Sequence, residues 1–134
     1  MDLFFAVTDF CVYRRLLFIN VEVEILGHPL VREGDGLAMS SRNRYLNSEN
    51  RLQATSISKA LFHVKQKFEK GINSSAELCL IARDILIESS INDIDYISIV
   101  DNRLLEEIEI ASRGDIVAVA VRVGGARLID NIKL

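Results

Sequence analysis

Three observations predict an α+β fold. Two amphipathic stretches of helical period occupy the middle of the chain, a β-rich final third is divided by Gly124-Gly125, and a long loop without period follows the single proline, Pro29. The expected architecture is two amphipathic helices packed on a small antiparallel sheet with a C-terminal hairpin, preceded by a strand and that loop. At 134 residues, 49% hydrophobic and 26% charged, the composition is that of one ordinary globular domain, well away from the low-hydrophobicity signature of disorder.

Each element has its own signal. Residues 21–26 alternate apolar and acidic side chains, Val-Glu-Val-Glu-Ile-Leu, the pattern of a half-buried strand that ends near Gly27. Residues 28–46 have neither helical nor strand period, and Gly34, Asp35 and Gly36 supply turn chemistry. The first helix starts at Asn47 or Ser48 as N-cap with Glu49 near the positive end. Leu52, Ile57, Ala60, Leu61, Val64 and Phe68 form its apolar stripe, and Gly71 stops it. Ser74 and Glu77 have the spacing of a capping box, and Leu78, Ile81, Ala82, Ile85 and Leu86 continue the second helix. Strands are expected at 96–100, 116–123 and 126–129, with Gly124-Gly125 as a tight hairpin turn. Such a sheet cannot cover both its faces alone, so the helices are its expected cover.

Charge and cysteine content narrow the function. A net charge of -3 with interspersed signs leaves no broad basic face for a nucleic-acid backbone. Asp2, Asp9 and Arg14-Arg15 break the apolar N-terminus, which suits neither a signal peptide nor a membrane span. Cys11 and Cys79 lack zinc-site or disulfide-framework spacing and are expected to be buried, reduced thiols of a cytoplasmic protein.

The chemistry concentrates in residues 36–43, Gly-Leu-Ala-Met-Ser-Ser-Arg-Asn. Ser40 and Ser41 offer adjacent hydroxyls and backbone N–H groups, and Arg42 adds a planar cationic fork suited to phosphate oxygens. Asn43 adds donors near the coming helix. A capping and turn cluster explains the same residues on chemistry alone. Met39 suits either an adenine ring or a gap in the core. Arg32 and Glu33 are expected to form a loop ion pair, and Asp35 to form a turn. His28 and His63 stand apart and are expected to be structural or surface residues. Arg127, Asp130 and Asn131 read as an end-of-sheet polar cluster with no assigned role.

The run from Pro29 to Leu46 closely resembles the signature of pantothenate synthetases (pantoate-β-alanine ligases). The resemblance continues through Asn47-Ser48-Glu49 with Arg51, Asp95-Tyr96, Asp101 and the closing stretch from Gly124 to Asn131. It implies ATP-dependent condensation of pantoate with β-alanine through a pantoyl adenylate, giving pantothenate, AMP and pyrophosphate, with Mg2+ accompanying ATP. By the family's motif, Val31 faces the adenine or ribose, while Met39, Ser40, Ser41 and Arg42 line the nucleotide and triphosphate path. Ser41 and Arg42 are then the catalytic candidates.

The family's paired-histidine motif and Lys-Asp-Tyr-Gln-Gln segment are absent; the latter falls where this chain has Phe4-Phe5-Ala6-Val7-Thr8. Residues 1–20 are accordingly read as a non-matching segment and residues 21–134 as a C-terminal lid domain. Its expected partners are ATP, pantoate and β-alanine, with neither nucleic acid nor membrane. Homodimerisation or association with a separate N-terminal domain would cover apolar surface. The competing expectation is a non-catalytic interaction module that keeps the lid fold without turnover.

Overall fold

The computed structural model describes residues 30–134. The strand expected at 21–26, together with His28 and Cys11, lies outside them. The described chain runs through a 3-10 turn (Ser41–Tyr45), helices α1 (Ser48–Glu69) and α2 (Ser75–Glu88), and strands β1 (Ile94–Val100), β2 (Ile116–Val123) and β3 (Ala126–Lys133). The strands form an antiparallel sheet in the order β1-β2-β3, giving the α+β architecture that the sequence predicts.

Helix α1 begins where Asn47 accepts a 2.7 Å hydrogen bond from the Asn50 N–H, satisfying a donor that has no partner inside the helix. It ends in a Schellman arrangement. Gly71, at φ +103, donates to the Phe68 carbonyl, and Ile72 donates to Lys67. Between these ends, Ala54, Ile57, Ala60, Leu61 and Val64 are buried. Leu52 departs from the expected stripe and is 72% exposed. The buried positions around it go instead to Thr55, Ser56 and Ser58, whose hydroxyls donate to the carbonyls of Leu52, Gln53 and Thr55. That back-bonding lets polar side chains face the interior.

Helix α2 is capped by Ser74, whose hydroxyl accepts from the Glu77 N–H. Its end repeats the Schellman pattern, with Ser90 in place of glycine at φ +63 and Ile91 donating to the Leu86 carbonyl. Cys79 is only half-buried, contrary to expectation, and its burial pushes the thiol up from its ordinary value. The second helix therefore presents no ready thiolate.

The helices cover one face of the sheet. Val117, Val119, Val121 and Val123 of β2 pack with Ile57, Leu61, Val64, Leu78 and Leu86. Ile116 and Ala118 point the other way, into a smaller cluster with Val100 and Leu105. Strand β1 starts earlier than expected because a bulge interrupts its register between Ile94 and Tyr96. Ile94 opposes Val121 and Ile97 opposes Val119. The extra residue between them, Asp95, keeps both isoleucines on the helix-facing side despite their odd spacing.

Strand β3 also runs past its expected end at 129, and this corrects the end-of-sheet cluster. Asp130 and Asn131 are buried strand residues paired with Val119 and Ala118. By that register Asp130 stands on the helix-facing side between Leu128 and Ile132, a position where a carboxylate requires a partner.

Candidate functional site

That partner comes from the loop. Arg32 grips Asp130 in bidentate fashion, Nη1 to Oδ2 at 2.7 Å and Nη2 to Oδ1 at 2.9 Å, and its Nη1 also donates to the Gly36 carbonyl at 3.1 Å. The guanidinium lies 5.4 Å from the Phe62 ring centroid on α1, within cation–π range. The expected Arg32–Glu33 pair is thus replaced. Neighbouring side chains on an extended backbone point to opposite sides, so Arg32 turns towards the sheet and Glu33 towards α1.

Glu33 and Asp35 share Arg51 of α1. Arg51 donates to Glu33 Oε2 at 2.7 Å and to Asp35 Oδ2 at 2.8 Å. Asp35 also forms the expected turn, accepting from the Leu37 N–H at 3.2 Å. Donation from the Asn43 amide, then from Arg51, holds the Glu33 carboxyl below its ordinary value. Desolvation pushes Asp35 up, but the Leu37 N–H and Arg51 outweigh it and leave that carboxyl lowered as well.

Asn43 ties the turn to the loop behind it. Its buried amide donates to Glu33 Oε1 at 2.5 Å and to the Ala38 carbonyl at 3.0 Å, while its Oδ1 is buried without a protein hydrogen-bond partner. The 3-10 turn starts as Ser40 Oγ accepts from the Arg42 N–H at 3.2 Å. Ser40 therefore caps the turn besides facing the cleft. Ser41 and Arg42 are exposed, and neither side chain bonds to another described residue.

The remaining two candidates meet across a short antiparallel bridge. Arg32 pairs with Ala38, and the Met39 N–H donates to the Val31 carbonyl at 2.9 Å. Val31 and Met39 are consequently opposed on the face away from Arg32, at 59% and 61% exposure. Met39 does not fill a core gap. The two side chains make an exposed apolar pair, of which Met39 shares a wall with Ser40 and Arg42.

Met39, Ser40, Arg42 and Asn43 border a cleft along β3, whereas Val31 and Ser41 are not part of its wall. It is lined by Leu37, Ala38, Met39, Ser40, Arg42 and Asn43 on the loop side and by residues 127–131 on the strand side, with Leu30 and Ile57 completing the wall. Its volume is about 70 Å³, small beside the roughly 300–1,000 Å³ of a pocket that encloses a small-molecule ligand. His63 is exposed on α1, away from this wall. Among the described residues no group of three or more His, Cys, Asp or Glu side chains could hold a metal ion, and no helix is long and apolar enough to cross a membrane. Sequence reasoning missed the bracing role of Arg51; its one signal was the pair of loop acids, Glu33 and Asp35, with a single arginine beside them.

The fold and site define a small α+β unit that carries a long loop braced against its own sheet and α1, with an exposed Ser41–Arg42 turn. The family model for pantoate-beta-alanine ligase matches residues 8–133, and the chain belongs to that family. It is 41% identical over 137 residues to a pantothenate synthetase of Sulfurihydrogenibium sp., covering 98% of this chain and 49% of that protein. Against the pantothenate synthetase of Thermosipho africanus it is 44% identical over 125 residues, covering 92% and 45%. The crystal structure of pantothenate synthetase from Thermus thermophilus superposes with a TM-score of 0.84 at 36% identity, covering 91% of this chain and 44% of that one. The chain spans under half the length of these relatives.

Proposed function

We propose that this chain supplies the ATP-binding lid half of a pantoate-activating site, in a reaction that condenses pantoate with β-alanine. The observation that carries this reading is the position of Ser41 and Arg42. Both are exposed, Arg42 on the cleft wall and Ser41 next to it in the chain, on a turn braced from behind by Asn43, Glu33 and Arg51. Braced donors with no protein acceptor are suited to an oxyanion from outside.

In this reading the carboxylate of pantoate attacks the α-phosphorus of ATP and pyrophosphate departs. The amine of β-alanine then attacks the acyl carbon and AMP leaves. Charge accumulates on pyrophosphate during the first step, so a guanidinium and hydroxyl presented by the braced turn at Arg42 and Ser41 stabilise the transition state more than bound ATP. Ser40 contributes from the start of the turn, and the Val31–Met39 pair takes the apolar faces of the nucleoside. Mg2+, whose coordination favours phosphate oxygens and water over an all-protein cage, arrives with ATP. A cleft this small suits a site in which pantoate and the far side of ATP are held by a second surface, as an N-terminal domain or a second copy of the chain would provide.

Calorimetric titration with MgATP tests this. Arg42→Ala is expected to weaken binding about tenfold, the loss of one charge-assisted contact, and Ser41→Ala to weaken it less. Undetectable binding, or affinity indifferent to both substitutions at unchanged stability, would favour an interaction module without turnover. Robust pantothenate formation by the 134-residue chain alone would sink the half-site reading.

A further inference from the structure

We propose that Arg127 is a second oxyanion-binding residue of the nucleotide cleft, with Asp95 as an internal counter-ion that polyphosphate displaces. This deepens the nucleotide reading above and rests on it.

Three independent observations converge on the pair. Arg127 lines the same cleft as Ser40 and Arg42, but from the strand side, so a ligand seated there has Arg42 on one flank and Arg127 on the other. Arg127 lies opposite Arg122 in the β2–β3 register. Like charges placed directly opposite on a sheet repel, and the single carboxylate between them is Asp95. Its Oδ2 accepts from Arg127 Nε at 2.5 Å and its Oδ1 from Arg122 Nε at 3.3 Å. One negative charge serves two positive ones, leaving the cluster net cationic.

Asp95 is also the extra residue of the β1 bulge. Bulges re-aim side chains and recur beside active sites, and here Asp95 reaches across β2 to Arg127 on β3. Both arginines engage Asp95 through Nε, and no described residue accepts from their Nη groups. The terminal edge of Arg127, which suits bidentate binding of a phosphate, remains available. Arg127 and Asp95 are 44% and 24% exposed at the side chain, so an incoming anion can compete for the contact. Polyphosphate is the favoured anion because the opposite flank is the Ser40–Arg42 turn. A small substrate carboxylate shares the chemistry and must be distinguished experimentally.

The experiment titrates the chain with inorganic pyrophosphate, and separately with β-alanine and pantoate, using Arg127→Ala, Arg127→Lys, Asp95→Asn and Arg42→Ala. Arg127→Ala is expected to weaken pyrophosphate binding about tenfold, with Arg127→Lys recovering part of the loss. Asp95→Asn is expected to tighten it roughly two- to fivefold, the worth of the exposed ion pair it removes, and to steepen its salt dependence. Misfolding cannot produce that gain. If Arg42→Ala weakens pyrophosphate binding while the Arg127 and Asp95 variants leave it unchanged, this inference falls and the nucleotide reading stands. Weakening by Asp95→Asn in step with Arg127→Ala would make the pair a scaffold and overturn it. Dependence on Arg127 confined to β-alanine or pantoate would overturn the polyphosphate assignment. Absence of pyrophosphate binding by every form would remove both readings.

Discussion

Arg32 joins the loop to the sheet at a place where charge is expensive. The Asp130 side chain is 2% exposed and that of Arg32 is 20%, so the pair is desolvated at one end and partly wet at the other. Arg32→Ala leaves the carboxylate on the helix-facing side of β3 without its guanidinium. Breaking such a pair is expected to cost about 2–4 kcal/mol, the lower part of the range for buried pairs because Arg32 retains some water. Urea unfolding measures it. Arg32→Lys, which keeps the charge but loses the bidentate geometry, should recover part of the loss; a lysine variant as unstable as Arg32→Ala would contradict this account. Adjacency in the sequence suggests Glu33 as the partner of Arg32. A partner 98 residues away is not visible there, and the surplus acid at Asp130 acquires meaning only once β3 is placed in register.

Helix boundaries follow from chemistry within a few residues, whereas strand register is set by the neighbouring strand. Asn47, Gly71 and Ser74 bound the helices as expected because capping is decided within one turn of chain. The bulge at Asp95 and the extension of β3 to Lys133 depend on β2, and no period-two pattern in either strand alone reveals them. Leu52 fell outside the stripe because Thr55, Ser56 and Ser58 could be buried by bonding back to their own helix. The Gly124-Gly125 turn was legible, though not its second requirement. Both glycines have positive φ, +56 and +81, as the favoured two-residue hairpin turn demands. A Cβ at Gly125 would meet open space, whereas one at Gly124 would run into the Asn50 side chain of α1. Gly125→Ala is therefore expected to cost about 1–2 kcal/mol of backbone strain, and Gly124→Ala more. Thermal unfolding of both variants on an Asn50→Ala background checks the cause. The difference should shrink there, and a difference that persists would place the cost elsewhere.

Across the whole unit, the loop is fastened at three points and left open at one. Arg32 holds it to β3, Arg51 holds it to α1, and Asn43 joins its two halves; Ser41 and Arg42 project beyond these anchors. In the proposed reading, such an arrangement keeps the backbone of the Ser41–Arg42 turn in place before a nucleotide arrives, which lowers the ordering cost of binding. Arg51→Ala isolates this contribution, because its ion pairs lie near the surface, where solvent screening leaves each of little weight in global stability. Hydrogen exchange should nevertheless accelerate at the Gly36 and Leu37 amides, whose acceptors, the Glu33 carbonyl and Asp35 carboxylate, lie on the segment that Arg51 tethers. Acid should act in the same direction. Glu33 and Asp35 have lowered carboxyl pKa values in the folded chain, against ordinary values of 4.5 and 3.8. Their contribution is complete above those values and is lost as pH falls through the lower folded ones. Loop protection should therefore decline on acidification in the parent chain, and Glu33→Gln should flatten that decline. Unchanged exchange in Arg51→Ala, or an acid response indifferent to Glu33→Gln, would show that α1 does not brace the loop and that its order comes from Arg32 and Asn43 alone.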